Sequence, residues 1–186
     1  MELTQEKYYT VEDFYKIPEE IHAELINGEL VHMALPSRIH QKLLVELITL
    51  INHYIKSKKG DCEVYLAPFD VQLWDNKDTI VEPDISVICD KKKLNKRGCL
   101  GAPDWIIEIV SPSNPEHDYI DKLYFYTKAS VREYWIVDPQ NKNIHVYNLE
   151  PNQFHVKVYT FQDTIKVGIY EDLFIDFAAF NFDEKE

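Results

Sequence analysis

Trp105-Ile-Ile-Glu108-Ile-Val110, the break Ser111-Pro-Ser-Asn-Pro115 and Glu133-Tyr-Trp-Ile-Val-Asp138 together decide the fold. The first run is apolar except for Glu108 and reads as a buried central strand. Ser111-Pro-Ser-Asn-Pro115 stops it. From about Glu116 to Ala129 no Gly or Pro interrupts the chain, and a proline at its start is compatible with a helix. The second apolar run then reads as another strand. A strand, a connecting helix and a strand make a parallel pair.

Outward from this unit the signals are of other kinds. On the C-terminal side, Pro139-Gln-Asn-Lys-Asn143 turns the chain into Ile144-His-Val-Tyr147, and a further strand follows around His155-Val-Lys-Val-Tyr159. The aromatic tail (Phe174, Phe177, Phe180, Phe182) is expected to dock on the core, or else to serve as an interaction surface. On the N-terminal side, Pro83 to Cys89, Asp70 to Trp74 and Glu63 to Ala67 read as strands, and Asp75-Asn-Lys-Asp78 as a turn. Lys91 to Arg97 reads as a basic loop. Ser37 caps a long helix to about Lys59, with Leu43, Leu44, Leu47, Ile48, Ile51, Tyr54 and Ile55 on one face and Gly60 closing it. Asn27-Gly28 between Glu24-Leu-Ile and Glu29-Leu-Val marks a hairpin. Thr10 caps a short helix that Pro18 ends. The expected architecture is one α/β domain over residues 1–186, built on a mixed sheet.

Composition narrows the class. With 186 residues the chain is long enough to bury a core. The N-terminal residues lack a basic segment leading into an apolar run, and no stretch is apolar enough to span a bilayer, so a cytoplasmic protein is expected. Cys62, Cys89 and Cys99 are odd in number and lack metal-type spacing, which suits reduced thiols. The net charge of −12, from 32 acidic against 20 basic residues, opposes strong non-specific binding to phosphate backbones. The basic residues do cluster at Lys56, Lys58 and Lys59 and from Lys91 to Arg97, either as a phosphate-facing rim or as a solvated surface.

Two carboxylates carry the chemistry. Glu108 is placed mid-strand, where an unpartnered carboxylate is expensive unless a cation or hydrogen bonds compensate; a structural salt bridge is the alternative. Asp84 follows a proline at the head of a strand, as a ligand or as a turn residue. Asp104 competes for its place. However, four residues of extended chain separate Asp104 from Glu108 by roughly 13 Å. Ligands of one Mg²⁺ each lie only about 2.0–2.1 Å from it. Asp84 on a neighbouring strand is therefore the better partner. Two residues beyond Glu108, where an amine could face the same side, stands the inert Val110. The nearest lysine is Lys122, on a helical stripe with Asp118 and Tyr126, or else a surface lysine paired with Asp118. Glu24 and His40 are secondary candidates, and His40 reads more readily as a surface residue at the start of its helix.

Glu24-Leu-Ile-Asn-Gly-Glu29, Pro36-Ser-Arg-Ile-His40, Val81-Glu-Pro-Asp84, Gly101-Ala-Pro-Asp-Trp-Ile-Ile-Glu108, Asp118…Lys122…Tyr126 and Glu133-Tyr-Trp-Ile-Val-Asp-Pro139 occur here in this order. The chain thereby resembles the bacterial "putative restriction endonuclease" family of the Uma type, within the P-D…(D/E)-x-K nuclease superfamily, over most of its length. The resemblance implies a restriction-endonuclease-like fold, with a mixed central sheet flanked by helices. It implies a Mg²⁺ or Mn²⁺ site on Asp84 and Glu108, with the main-chain carbonyl of Ile109 as a further ligand. It also implies that Lys122 replaces the missing strand lysine and that Glu24 orients the metal or its water. The expected activity is divalent-metal-dependent endonucleolytic hydrolysis of DNA, duplex in form, by a homodimer. Asp84→Ala, Glu108→Ala and Lys122→Ala are each expected to abolish it with the fold intact. The alternative is a catalytically inert nucleic-acid-binding or regulatory module with the same fold.

Overall fold

The computed structural model describes residues 7–18, 20–112 and 115–180. Ser113 and Asn114 of the expected break, and Phe182 of the aromatic tail, lie outside them. Helix α1 (Val11–Phe14) is a single turn, shorter than expected, closed at its start by reciprocal hydrogen bonds between Thr10 and Asp13. Strands β1 (Ala23–Ile26) and β2 (Glu29–His32) form the anticipated hairpin. Asn27 and Gly28 between them have φ of 49° and 85°, the left-handed values of a type I′ turn.

Helix α2 (Arg38–Ser57) begins at Ser37, whose hydroxyl accepts from the His40 N–H, and buries Leu43, Leu44, Leu47, Ile51 and Ile55. Its end differs from expectation. Lys59, at φ 53°, takes the left-handed position, and Gly60 follows it with its N–H donated to the Ile55 carbonyl. Six strands come next: β3 (Glu63–Leu66), β4 (Asp70–Gln72), β5 (Ile80–Val81), β6 (Ile85–Ile88), β7 (Gly98–Leu100) and β8 (Trp105–Ile109). The short β5 and β7 are absent from the sequence reading. β7 lies at the end of the basic loop, parallel to β4 with Gly98 opposite Asp70. A Cβ on Gly98 would meet the Asp70 carbonyl oxygen at 2.1 Å, so this approach requires glycine.

The expected helix from Glu116 to Ala129 is not uniform. His117–Lys122 winds as a π-helix, and the α-helical winding at Glu116 resumes only over Leu123–Ala129 (α3). Strands β9 (Glu133–Asp138), β10 (Asn143–Asn148), β11 (His155–Thr160), β12 (Thr164–Lys166) and β13 (Phe174–Asp176) complete the chain. β8 and β9 pair in parallel, while the other pairs of the six-stranded sheet β11-β10-β9-β8-β6-β3 are antiparallel, so the sheet is mixed as expected.

Helices do not cover both faces alone. On one face, Leu43, Leu47 and Ile51 of α2 pack with Ile107, Trp135 and Phe177. On the other, a second sheet, β2-β1-β5-β4-β7, shares the covering with α3: Val71 and Val81 meet Ile106, Phe125, Tyr126 and Tyr134. Of the tail, Phe177 and Phe180 are buried, whereas Phe174 is 56% exposed. The cysteine expectation needs correction: Cys62 and Cys89 form a disulfide. The pairing of Glu63 with Ile88 places these two residues opposite each other just beyond the strand ends, a proximity invisible in their spacing. Cys99 is free and buried. Among the described residues, no helix is long and apolar enough to cross a membrane.

Candidate active site

Strand geometry brings the two carboxylates together. Ile85 pairs with Ile107 across β6 and β8, so extending the register by one residue sets Asp84 opposite Glu108. The Asp84 N–H donates to Glu108 Oε2 at 3.3 Å, and the Ile109 N–H donates to Asp84 Oδ2 at 2.7 Å. Side chains alternate along β8. Trp105, Ile107 and Ile109 join the α2 side of the core, and Ile106 and Val110 the α3 side. Glu108 therefore points toward α3 and the π-helix. Asp104 sits at the opposite end of β8, where it accepts from the Cys89 N–H at 2.8 Å and lies 3.4 Å from Arg132.

Lys122 is no surface lysine. It is 4% exposed, with Nζ 2.9 Å from Glu108 Oε1, 3.2 Å from Glu24 Oε1 and 3.6 Å from Asp118 Oδ1. The Tyr126 hydroxyl donates to the same Glu108 oxygen at 2.7 Å. The expected stripe of Asp118, Lys122 and Tyr126 thus faces the strand end. Burial also changes one expectation: truncating Lys122 to Ala would strand buried carboxylates, so an intact fold no longer follows. His40 is likewise buried, with Nε2 3.1 Å from Asp84 Oδ2.

Glu24 enters from β1 in the second sheet and closes the site. Its Oε1 accepts from the Glu82 N–H at 2.9 Å, and its Oε2 lies 2.8 Å from His117 Nε2. The sequence reading missed His117. At 3.6 residues per turn, positions five apart point about 140° away from each other. The i→i+5 turn of a π-helix realigns them, so His117 and Lys122 reach the two oxygens of one carboxylate.

The electrostatics follow from this crowding. Burial pushes the Glu108 carboxyl up to about 8; Lys122 draws it down, while Asp84, Asp118 and Glu24 push it further up. Burial also acts on Glu24 but is outweighed by the Lys122 ammonium, His117 and the Glu82 N–H, which hold it at about 2. Burial lowers the Lys122 ammonium less than Glu108, Glu24 and Asp118 raise it, so it sits well above its ordinary value. Burial raises Asp118.

Among the described residues, no group of three or more His, Cys, Asp and Glu side chains forms a metal-holding cluster. Asp84 and Glu108 offer two hard carboxylates side by side, a donor set suited to Mg²⁺ or Mn²⁺, which protein commonly binds through one or two carboxylates. The basic loop is partly committed elsewhere: Lys91 pairs with Glu63 at 3.0 Å, Lys93 donates to the Ala102 carbonyl at 2.7 Å, and Arg97 lies 4.2 Å over the Tyr15 ring.

Comparison with known proteins gives the chain as a whole its relatives. Residues 11–176 match the Uma2 family, described as "Putative restriction endonuclease". A Synechocystis sp. protein described as uncharacterized is 26% identical over 126 residues, which span 67% of this chain and 65% of that protein's length. The crystal structure of a "putative nuclease belonging to DUF820" from Anabaena variabilis superposes with a TM-score of 0.71. It is 24% identical, over 86% of this chain and 89% of its own, and shares the mixed α/β, restriction-endonuclease-like fold.

Proposed function

Because this chain belongs to the Uma2 family of "putative restriction endonucleases", we propose that it is a divalent-metal-dependent endonuclease that hydrolyses phosphodiester bonds in DNA. The observation that carries this reading is the meeting of Asp84, Glu108 and Lys122 at one strand end, with Lys122 2.9 Å from Glu108. Asp84 and Glu108 would hold Mg²⁺ or Mn²⁺, with the Ile109 carbonyl as a further ligand. Such a cation lowers the pKa of bound water and neutralises charge on a scissile phosphate. Lys122 steadies charge on the phosphate or orients the attacking water, and Glu24 fixes the ammonium from the other side. Cutting both strands of a duplex takes two such sites, which a homodimer supplies.

Calorimetric titration of Mn²⁺ into wild type and Asp84→Ala tests the reading without guessing a substrate. Saturable binding in wild type, lost in the variant, supports it; identical titrations overturn the metal site. The net charge of −12 and the commitment of Lys91, Lys93 and Arg97 to protein contacts favour a second reading, an inert nucleic-acid-binding or regulatory module. A pure phosphate binder loses affinity steeply with salt even when metal is chelated.

A further inference from the structure

His117 belongs to no motif that carries the nuclease reading, yet both of its ring nitrogens are engaged. Nε2 lies 2.8 Å from Glu24 Oε2, and Nδ1 lies 3.2 Å from Asp121 Oδ2. Ionised carboxylates accept hydrogen bonds and cannot donate them. Both nitrogens must therefore carry hydrogen, which makes the ring an imidazolium. The side chain is only 12% exposed, whereas Asp121 is 59% exposed, so the bridge runs from a buried carboxylate to the surface.

The groups facing His117 are Glu24 from β1, Asp121 and Lys122 from its own helix, and Asp118 beside it. Glu24 has two oxygens and divides them, Oε2 to His117 and Oε1 to Lys122 and the Glu82 N–H. A carboxylate freed from His117 is held through Oε1 alone and can pivot about that oxygen, which loosens its hold on the ammonium that also serves Glu108. The π-helical turn makes this shared clamp possible, and π-turns recur at functional sites. We propose that His117 is a positioning residue: as an imidazolium bridging Glu24 and Asp121, it fixes the Glu24 carboxylate and thereby holds Lys122 against Glu108. Its bearing on catalysis rests on the nuclease reading; the clamp itself does not.

The test has two arms, both on the full chain. Side-chain ¹H–¹⁵N spectra of histidine, with Asp121→Asn beside wild type and His117→Gln for assignment, are recorded from pH 5 to 9. At pH 7 both His117 nitrogens should be protonated, with a midpoint above the ordinary value of about 6.5 that falls in the exposed Asp121→Asn variant. A singly protonated ring at pH 7, or an unmoved midpoint, overturns the clamp. In the second arm, Mn²⁺-dependent cleavage of supercoiled plasmid should lose about tenfold in kcat in His117→Gln with KM within twofold, and recover in His117→Arg. An unchanged rate in a folded His117→Gln overturns the positioning role. A wild type that cuts nothing overturns the nuclease reading instead, and the spectra alone then decide the clamp.

Discussion

Replacing Lys122 with Met keeps most of the side chain's length and removes its charge. The ammonium faces Glu108, Glu24 and Asp118 within 2.9, 3.2 and 3.6 Å, and both glutamates are at most 2% exposed. Removing one partner of a buried ion pair costs about 3–5 kcal/mol because the survivor stays buried and unpaired. The two glutamates should share this unequally. Glu108, already pushed up to about 8, can take a proton at neutral pH. Glu24, held at about 2 largely by Lys122, loses its main counter-charge and keeps only His117 and the Glu82 N–H. Most of the loss therefore falls on Glu24. Urea unfolding at pH 7.5 with EDTA should show a drop of about 3–5 kcal/mol, or roughly 6–20 °C in Tm for a chain of this size. A double variant Glu24→Gln/Lys122→Met should recover at least about 1 kcal/mol relative to the sum of the single losses. A Lys122→Met loss below about 1 kcal/mol, or strictly additive losses, would refute the description of Lys122 as the central counter-ion.

Four further outcomes follow from the same geometry. Metal binding needs an ionised carboxylate, and Glu108 is raised to about 8, so Mn²⁺ affinity should climb from pH 6 to 8 with proton release visible in calorimetry; a flat profile contradicts this. Glu24 behaves in the opposite sense. Its folded value of about 2 lies below the ordinary 4.5, so its stabilisation is complete above pH 4.5 and is lost as pH falls through about 2. Acid-unfolding curves of a folded Glu24→Gln should be flatter across that window, and equal slopes would count against the Glu24 assignment. Tyr126→Phe removes a buried donor to Glu108, costing about 0.5–1.5 kcal/mol by urea unfolding, and no change would mean the hydroxyl is not bonded there. Gly98→Ala should destabilise the chain measurably by thermal melting, because the added Cβ meets the Asp70 carbonyl; an unshifted Tm would show that β4 and β7 do not approach as described.

Local chemistry was enough to read much of this protein. Apolar runs bounded by Pro and Gly marked β6, β8 and β9, the Asn27-Gly28 pair marked the hairpin, and a helical stripe marked α2. The unbroken stretch between two buried strands settled that β8 and β9 run parallel. Of the site, Asp84, Glu108 and Lys122 were already visible, since a carboxylate inside an apolar strand announces a need for compensation. Other features depended on contacts between distant segments. β5 and β7, two and three residues long, have too little sequence for a pattern and exist only because β1 and β4 pair with them. The Cys62–Cys89 disulfide depends on the register of β3 against β6. His117 depends on a π-turn that residue spacing on an α-helix places on the wrong side. His40 looked like a surface residue because nothing near it in sequence reveals Asp84, 44 residues away. Sequence alone marked Glu108 as a charge carried into the interior; the tertiary structure decided which other charges join it and which of them meet, because a carboxylate's partner is set by strand register and helix phase across the chain.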